Sequence, residues 1–220
     1  LVGSEMCIRD RDNDMNRNEG SYMEKKVDRR VIKTRKQLKN GLAKLMQEKS
    51  VNQITVKELV EEVHINRSTF YLHFKDIQDL LWEIEDTMEH EIQRAIEEHP
   101  IEPHNENTFY FIEDIFRVLN EEREIGSALI GPNGDMGFIH RIERIIKENS
   151  RTALEEMFPG KKEDLKYFYA FCLSGCLGLV KIWLQEGEEK SPEEIAQMTF
   201  NMVVNAKDAF CQTASDFLDK

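Results

Sequence analysis

Residues 54–75, ITVKELVEEVHINRSTFYLHFK, hold two short helical patterns joined by a turn too brief to let them separate, and this stretch constrains the fold more than any other. Thr55 with Glu58 three residues on forms a capping box, in which the hydroxyl accepts an orphan amide and the carboxylate reaches back. Leu59, Val60 and Val63 supply the apolar face of the helix so started, which must stop near His64. A turn over 63–66 leads to Asn66, a good N-cap. Residues 67–74 then make two helical turns, and Phe70 and Phe74, at i and i+4, share a face.

Burying the two phenylalanines points Ser68, Thr69 and Leu72 outward, with Arg67, Tyr71 and His73 on the flanks. Hydroxyls, a guanidinium and an imidazole on one exposed helix suit a DNA groove, where they meet base edges and phosphates, and Leu72 suits a thymine methyl. Asp76 caps the next helix, and Lys75 just before it places an ammonium beside the DNA backbone. The arrangement is a helix-turn-helix. The charge distribution agrees with it. The chain is acidic overall, net −12, yet residues 23–75 carry 13 Lys/Arg against 6 Asp/Glu, while 76–220 carry 14 against 31. A cationic end on an anionic body is the footprint of a protein that meets nucleic acid with one end only.

The run from Ile54-Thr55-Val56 through Ser68-Thr69-Phe70-Tyr71-Leu72-His73-Phe74-Lys75-Asp76, followed by Leu80 and Leu81, resembles the DNA-binding domain of the TetR/AcrR family of bacterial transcriptional regulators over residues 30–88. The resemblance implies an all-α protein. A three-helix helix-turn-helix domain over 23–76 is joined by a long helix, its start reaching to 88, to a helical dimerisation and effector domain over 77–220. It further implies a homodimer on a palindromic operator in double-stranded DNA, usually a repressor, released by a small-molecule effector of unknown identity. A co-regulator whose output depends on a protein partner instead of a small ligand is the alternative. The residues expected on DNA are Thr55, Lys57, Arg67, Ser68, Thr69, Tyr71, His73 and Lys75. Arg67, Ser68 and Thr69 are the candidates for base readout; Thr55, Tyr71, His73 and Lys75 are expected mainly on phosphates. Two positions depart from the family pattern. His64 stands where the turn often carries Gly at positive φ, which His tolerates better than a branched residue, and Val60 stands where Ala is usual.

Around this core the chain reads as helices throughout. Residues 1–11, LVGSEMCIRDR, resemble translated sequencing-adapter DNA, which would put the natural start at Met15 or Met23, and the polar tract to residue 22 is expected to be disordered. A first helix capped by Asp28 and running to residue 49 carries Val31, Leu38, Leu42 and Leu45 at helical spacing. Its start is crowded with cations from Lys25 to Lys39 that can approach DNA phosphates, and family resemblance favours Thr34 or its neighbours there. Residues 76–98 form the bridging helix, with Ile77, Leu80, Leu81, Ile84, Met88 and Ile92 on one face, a lever by which an event in the body repositions the head. Helices follow over 108–121, a short one from 125, 138–158, 163–187 and from 192. The stretch 171–196, FCLSGCLGLVKIWLQEGEEKSPEEIA, resembles a C-terminal subtype of Firmicutes regulators, and in the family the last two helices build a four-helix bundle with the partner subunit. The apolar run 167–180 is too short to span a bilayer and reads as a buried helix, so no membrane association is expected. Four cysteines without paired spacing indicate a reducing, cytoplasmic setting.

The remaining motifs carry no chemistry. Gly131, Gly134 and Gly137 form a glycine-rich loop, but no Gly-Lys-Ser/Thr follows and no strand precedes, so it reads as a flexible connector. Cys172 and Cys176, at i and i+4, lack a third ligand and read as buried small hydrophobes. His64, His90, His99, His104 and His140 have no visible carboxylate or nucleophile partner, so no active site, metal or cofactor is expected. Phe109, Phe111, Phe116, Phe138, Phe168, Phe171 and Trp183 could line an effector pocket, but aromatic residues at this spacing read first as core.

Overall fold

The computed structural model describes residues 29–101, 107–159, 162–186 and 190–212. The expectations for Asp28, Lys25, Lys26 and everything before them, and for the connector at 102–106, lie outside these residues. Among the described residues the chain is helical: α1 (Arg29–Glu48), a single 3-10 turn (Val51–Gln53), α2 (Val56–Glu62), α3 (Arg67–Tyr71), α4 (Ile77–Glu98), α5 (Asn107–Glu121), α6 (Arg123–Ile130), α7 (Met136–Met157), α8 (Leu165–Glu186) and α9 (Pro192–Gln212).

The head is built where α1 crosses α2, α3 and the start of α4. Leu38, Leu42, Leu59, Phe70 and Leu80 are fully buried there. Gly41 is what lets α1 and α2 approach: a Cβ on it would lie 2.3 Å from Val63 Cγ1 and 3.1 Å from Leu59 Cδ1. The apolar face read for α4 is buried along its whole length, and the same hydrophobic cluster runs on through α5, α6, α7 and α9. The bridge is not α4 alone. Helix α6 packs on α1, Lys36 faces Glu122 at 3.8 Å, and Asn133 Nδ2 donates to Gln47 O at 3.3 Å.

That last contact corrects the reading of 131–137 as a flexible connector. The segment is a packed turn: Gly134 N donates to Gly131 O, a Cβ at Gly134 would lie 1.9 Å from Leu129 O, and Asp135 caps α7 by accepting from Gly137 N at 2.8 Å. The glycine is there because backbone occupies the space a side chain would need.

Helix α8 also departs from expectation. The sequence run reads as a buried helix too short for a bilayer. The helix has 22 residues and mean hydropathy 1.5 over its best window, enough by length and composition to cross a membrane, and little of it is buried. Phe168, Val180, Trp183 and Leu184 face inward; Tyr167, Phe171 and Ile182 are exposed. Nothing lies within 4 Å of a Cβ at Gly175 or Gly178. An apolar helix with one face covered and a small-residue face open is the kind of patch that marks an interaction site.

Candidate nucleic-acid interface and body cavity

The two-helix unit forms for the reasons its residues supply. Thr55 Oγ1 accepts from Glu58 N at 3.2 Å and Glu58 Oε2 accepts from Thr55 N at 2.9 Å, a complete capping box. Lys49 Nζ reaches the same carboxylate at 2.5 Å, and this bond, with the two from Thr55, holds the Glu58 carboxyl down to about 2. Helix α2 ends in a Schellman motif. Ile65 N donates to Val60 O at 3.0 Å and His64 N to Glu61 O at 3.4 Å, with His64 in the left-handed region at φ 55°, as its place in the turn predicts.

Helix α3 is shorter than the two turns expected from the sequence, closing at Tyr71. Leu72 N donates to both Ser68 O and Thr69 O, and His73 N to Phe70 O at 2.9 Å. The two three-residue spacings, Leu72 to Thr69 and His73 to Phe70, tighten the last turn before Asp76 and Asp79 start α4. Phe70 and Phe74 keep their shared face, with rings 6.0 Å apart, both buried. Asn66 stands at the N-cap but its side chain makes no capping bond.

Of the eight residues singled out for DNA, six are exposed and Thr69 and His73 are half-buried. Arg67, Ser68 and Tyr71 lie on the open side of α3 with Leu72, which is 81% exposed; Tyr71 leans edge-on against Phe70 at 5.4 Å. Lys75 is exposed beyond the helix end, its backbone N–H held by Asp79 Oδ2 at 2.8 Å. Lys57 has only a loose neighbour, Glu61 at 3.9 Å. Thr55 is the least free of the set, because its hydroxyl also donates to Glu58 Oε2 at 2.9 Å.

The cationic start of α1 is less available than its composition suggests. Arg35 pairs with Glu83 of α4 and lies over the Phe74 ring at 4.8 Å. Lys39 shares that carboxylate at 3.2 Å, and burial, with Arg35 beside it, pulls its ammonium below the usual lysine range. Arg29 and Lys33 stay exposed, and Thr34 is half-buried. The two paired cations tie α1 to α4, with Arg35 also lying over Phe74, a role invisible in a charge count.

In the body, a cavity of about 450 Å³ opens between α4, α5, α6, α7, α8 and α9. Phe111, Phe116, Phe138 and Phe168, aromatic residues read first as core, line it; Phe109, Phe171 and Trp183 do not. Cys172 and Cys176 are half-buried in its wall, not sealed in a core, and burial pushes both thiols up to about 11. Sequence periodicity had no means of revealing this space, which is the sum of small misfits among six helices. The histidine reading is corrected at two sites: His99 Nδ1 meets Asp114 Oδ2 at 2.8 Å, an α4–α5 tie closed by folding, and His90 Nδ1 lies 3.4 Å from Asp86 Oδ2 one turn back on α4. No group of three His, Cys, Asp or Glu among the described residues is placed to hold a metal.

Sequence comparison agrees with this geometry. Residues 40–84 match the family described as bacterial regulatory proteins, tetR family, and residues 106–205 match a transcriptional regulator C-terminal region. An uncharacterized HTH-type transcriptional regulator, YxbF of Bacillus subtilis (strain 168), is 28% identical over 188 residues, a match covering 79% of this chain and 45% of that protein. The chain therefore spans less than half the length of that curated relative. Among solved structures, a TetR transcriptional regulator from Streptococcus agalactiae 2603V superposes with TM-score 0.50 at 22% identity, over 80% of this chain and 96% of that one. The dihydroxyacetone kinase operon activator DhaS superposes with TM-score 0.53 at 17% identity, over 81% and 98%. At these identities the structures speak for the fold alone.

Proposed function

The chain belongs to the TetR family of bacterial transcriptional regulators, and from that premise we propose that it works as a homodimer whose two α3 helices read an inverted repeat and whose body cavity takes the ligand that releases it. Residues 23–76 are the DNA-binding unit and 77–220 the dimerisation and sensing unit. The observation that carries this reading is α3 itself, a short helix locked by Phe70 and Phe74 and presenting Arg67, Ser68, Tyr71 and Leu72 to solvent. Arg67, Ser68 and Thr69 take base edges; Lys57, Tyr71, His73 and Lys75 take phosphates, and Thr55 joins them only by loosening its bond to Glu58. Support for the dimer comes from the open apolar face of α8, where Gly175 and Gly178 leave room for a partner helix. Two heads so paired dock about 34 to 36 Å apart, one duplex turn. The cavity favours a small ligand over a protein partner as the controlling event, since ligand and operator then compete for arrangements of α4; repression is the sign that the family resemblance implies.

The test is a salt titration of binding to an inverted repeat from the DNA upstream of the gene. Lys75→Ala weakens binding to all sequences alike and lowers the slope of log K against log salt by about 1; Thr69→Ala relaxes sequence preference instead. An unchanged slope for Lys75→Ala removes its phosphate role, and failure of the wild-type protein to bind duplex DNA at low salt removes the reading.

A further inference from the structure

Resting on the reading of the cavity as a ligand site, we infer that its ligand is a lipophilic monocarboxylate: one ionised carboxylate, held by Lys207, on an apolar body filling the space between the six helices. Size sets the first limit. A cavity of about 450 Å³ is roughly three times the ~150 Å³ apolar hole that accepts one benzene, which allows about 18 heavy atoms.

The polar groups in the wall set the second limit, because most of them are already spent. Ser150 Oγ donates to Ile146 O at 2.8 Å and meets the Tyr169 hydroxyl at 2.6 Å, so the tyrosine proton is turned toward Ser150. Thr199 Oγ1 donates to Ile195 O at 2.8 Å. Both cysteines are neutral thiols, weak partners for any polar ligand atom. A ligand with several hydroxyls or amides would lose its water there and find few donors or acceptors in exchange.

Lys207 is the exception. Among the described lining residues it alone carries a charge. Its side chain is 27% exposed, and the nearest carboxylate among the described residues, Asp208 Oδ1, stands 3.8 Å away on a side chain that is 57% exposed. Such a long, solvated pair holds the ammonium weakly. A carboxylate arriving on an apolar ligand gains a charge-assisted bond in a drier setting. An anionic body does not otherwise attract acids, so the selectivity must come from this one cation.

Calorimetric titration of the full-length protein with myristate and with tetradecanol, same chain length and different head, tests the inference. Myristate is expected to bind at least about tenfold tighter, the worth of one charge-assisted hydrogen bond. Lys207→Met, which keeps the apolar stem, is expected to bring the acid down to the alcohol and leave the alcohol unchanged; a misfolded variant would lose both. Equal affinity for the two ligands in the wild-type protein, an unaltered acid preference in Lys207→Met, or no binding of either ligand overturns the monocarboxylate. The cavity reading fails separately, if Val203→Phe, which adds bulk to the α9 wall of the cavity, leaves both affinities untouched.

Discussion

Arg141 on α7 offers a sharp quantitative test of how the body is held to α4. Its Nη2 donates to Glu85 Oε2 at 2.5 Å and its Nε to Glu89 Oε1 at 2.6 Å, and Glu85 is only 5% exposed. Burial pushes the Glu85 carboxyl up from 4.5, with Arg141 pulling it back. Arg141→Met removes that compensation and leaves a buried charge alone, a change that typically costs 3–5 kcal/mol. The carboxyl has a cheaper escape, protonation. At pH 7, taking up a proton on a group whose ordinary pKa is 4.5 costs about 3.4 kcal/mol, at about 1.36 kcal/mol per pH unit. The expected destabilisation is therefore about 3.4 kcal/mol, or roughly 7 to 14 °C in Tm for a chain of this size. A folded-state pKa raised above the unfolded one means that the folded protein binds the proton more tightly, so stability is recovered as pH falls toward 4.5. At pH 5.5 the same protonation costs only about 1.4 kcal/mol, and the Arg141→Met deficit should shrink accordingly. Glu85→Gln in the Arg141→Met background should return about 2 kcal/mol at pH 7, the remainder going to a buried amide short of partners. Thermal melts followed by circular dichroism at fixed protein concentration, at both pH values, provide the check. A deficit equal at pH 7 and 5.5, or no rescue by Glu85→Gln, refutes the buried-charge account.

Other perturbations separate local geometry from assembly. His64→Gly should raise the urea midpoint by an amount worth about 1 kcal/mol, because a side chain at φ 55° is relieved of left-handed strain; a loss of stability would mean that the imidazole makes a contact that outweighs it. Gly178→Arg should leave folding of the single chain unchanged, since nothing lies within 4 Å of a Cβ there, and yet abolish the dimer in sedimentation equilibrium; a variant still dimeric moves the interface off this face of α8. The Glu58 contribution to head stability should be complete above pH 4.5 and disappear as pH falls toward about 2, where the folded-state carboxyl finally protonates. Glu58→Gln should therefore flatten the acid limb of a pH–stability curve, and an unchanged limb contradicts the capping role.

Much of this molecule could be read from its residues because its signals are local. A capping box needs only Thr55 and Glu58, a left-handed turn only His64 and its neighbours, and the buried face of α4 only a spacing of three and four. The signals that failed to show are sums over elements distant in sequence. Glu85 lies on the flank of α4 where a carboxylate reads as solvated, and only Arg141, 56 residues on, explains its burial. Arg35 and Lys39 read as cations for DNA, but Glu83 of α4 stands opposite both. The apolarity of α8 is real, but composition cannot say whether a helix is covered by its own chain or by another.

The proposed control of DNA binding follows from where these hidden contacts sit on α4. Met88 and Ile92 border the cavity, Glu85 and Glu89 hold Arg141, and Leu80 and Ile77 pack in the head, so one rigid helix meets ligand space, clasp and reading unit within four turns. Residues Phe138, Ile139 and Ile142 of α7 line the same cavity on either side of Arg141, so a ligand that parts α7 from α4 strains the clasp directly. The α1–α6 contact gives the head a second anchor to the body, which limits how far it swings. A ligand can shift the equilibrium only by its difference in affinity for the two arrangements, and weakening the clasp lowers the shift required. Arg141→Met should consequently bind its operator more weakly without ligand and release it at lower ligand concentration. Tighter operator binding by that variant would show that the clasp favours the released form instead.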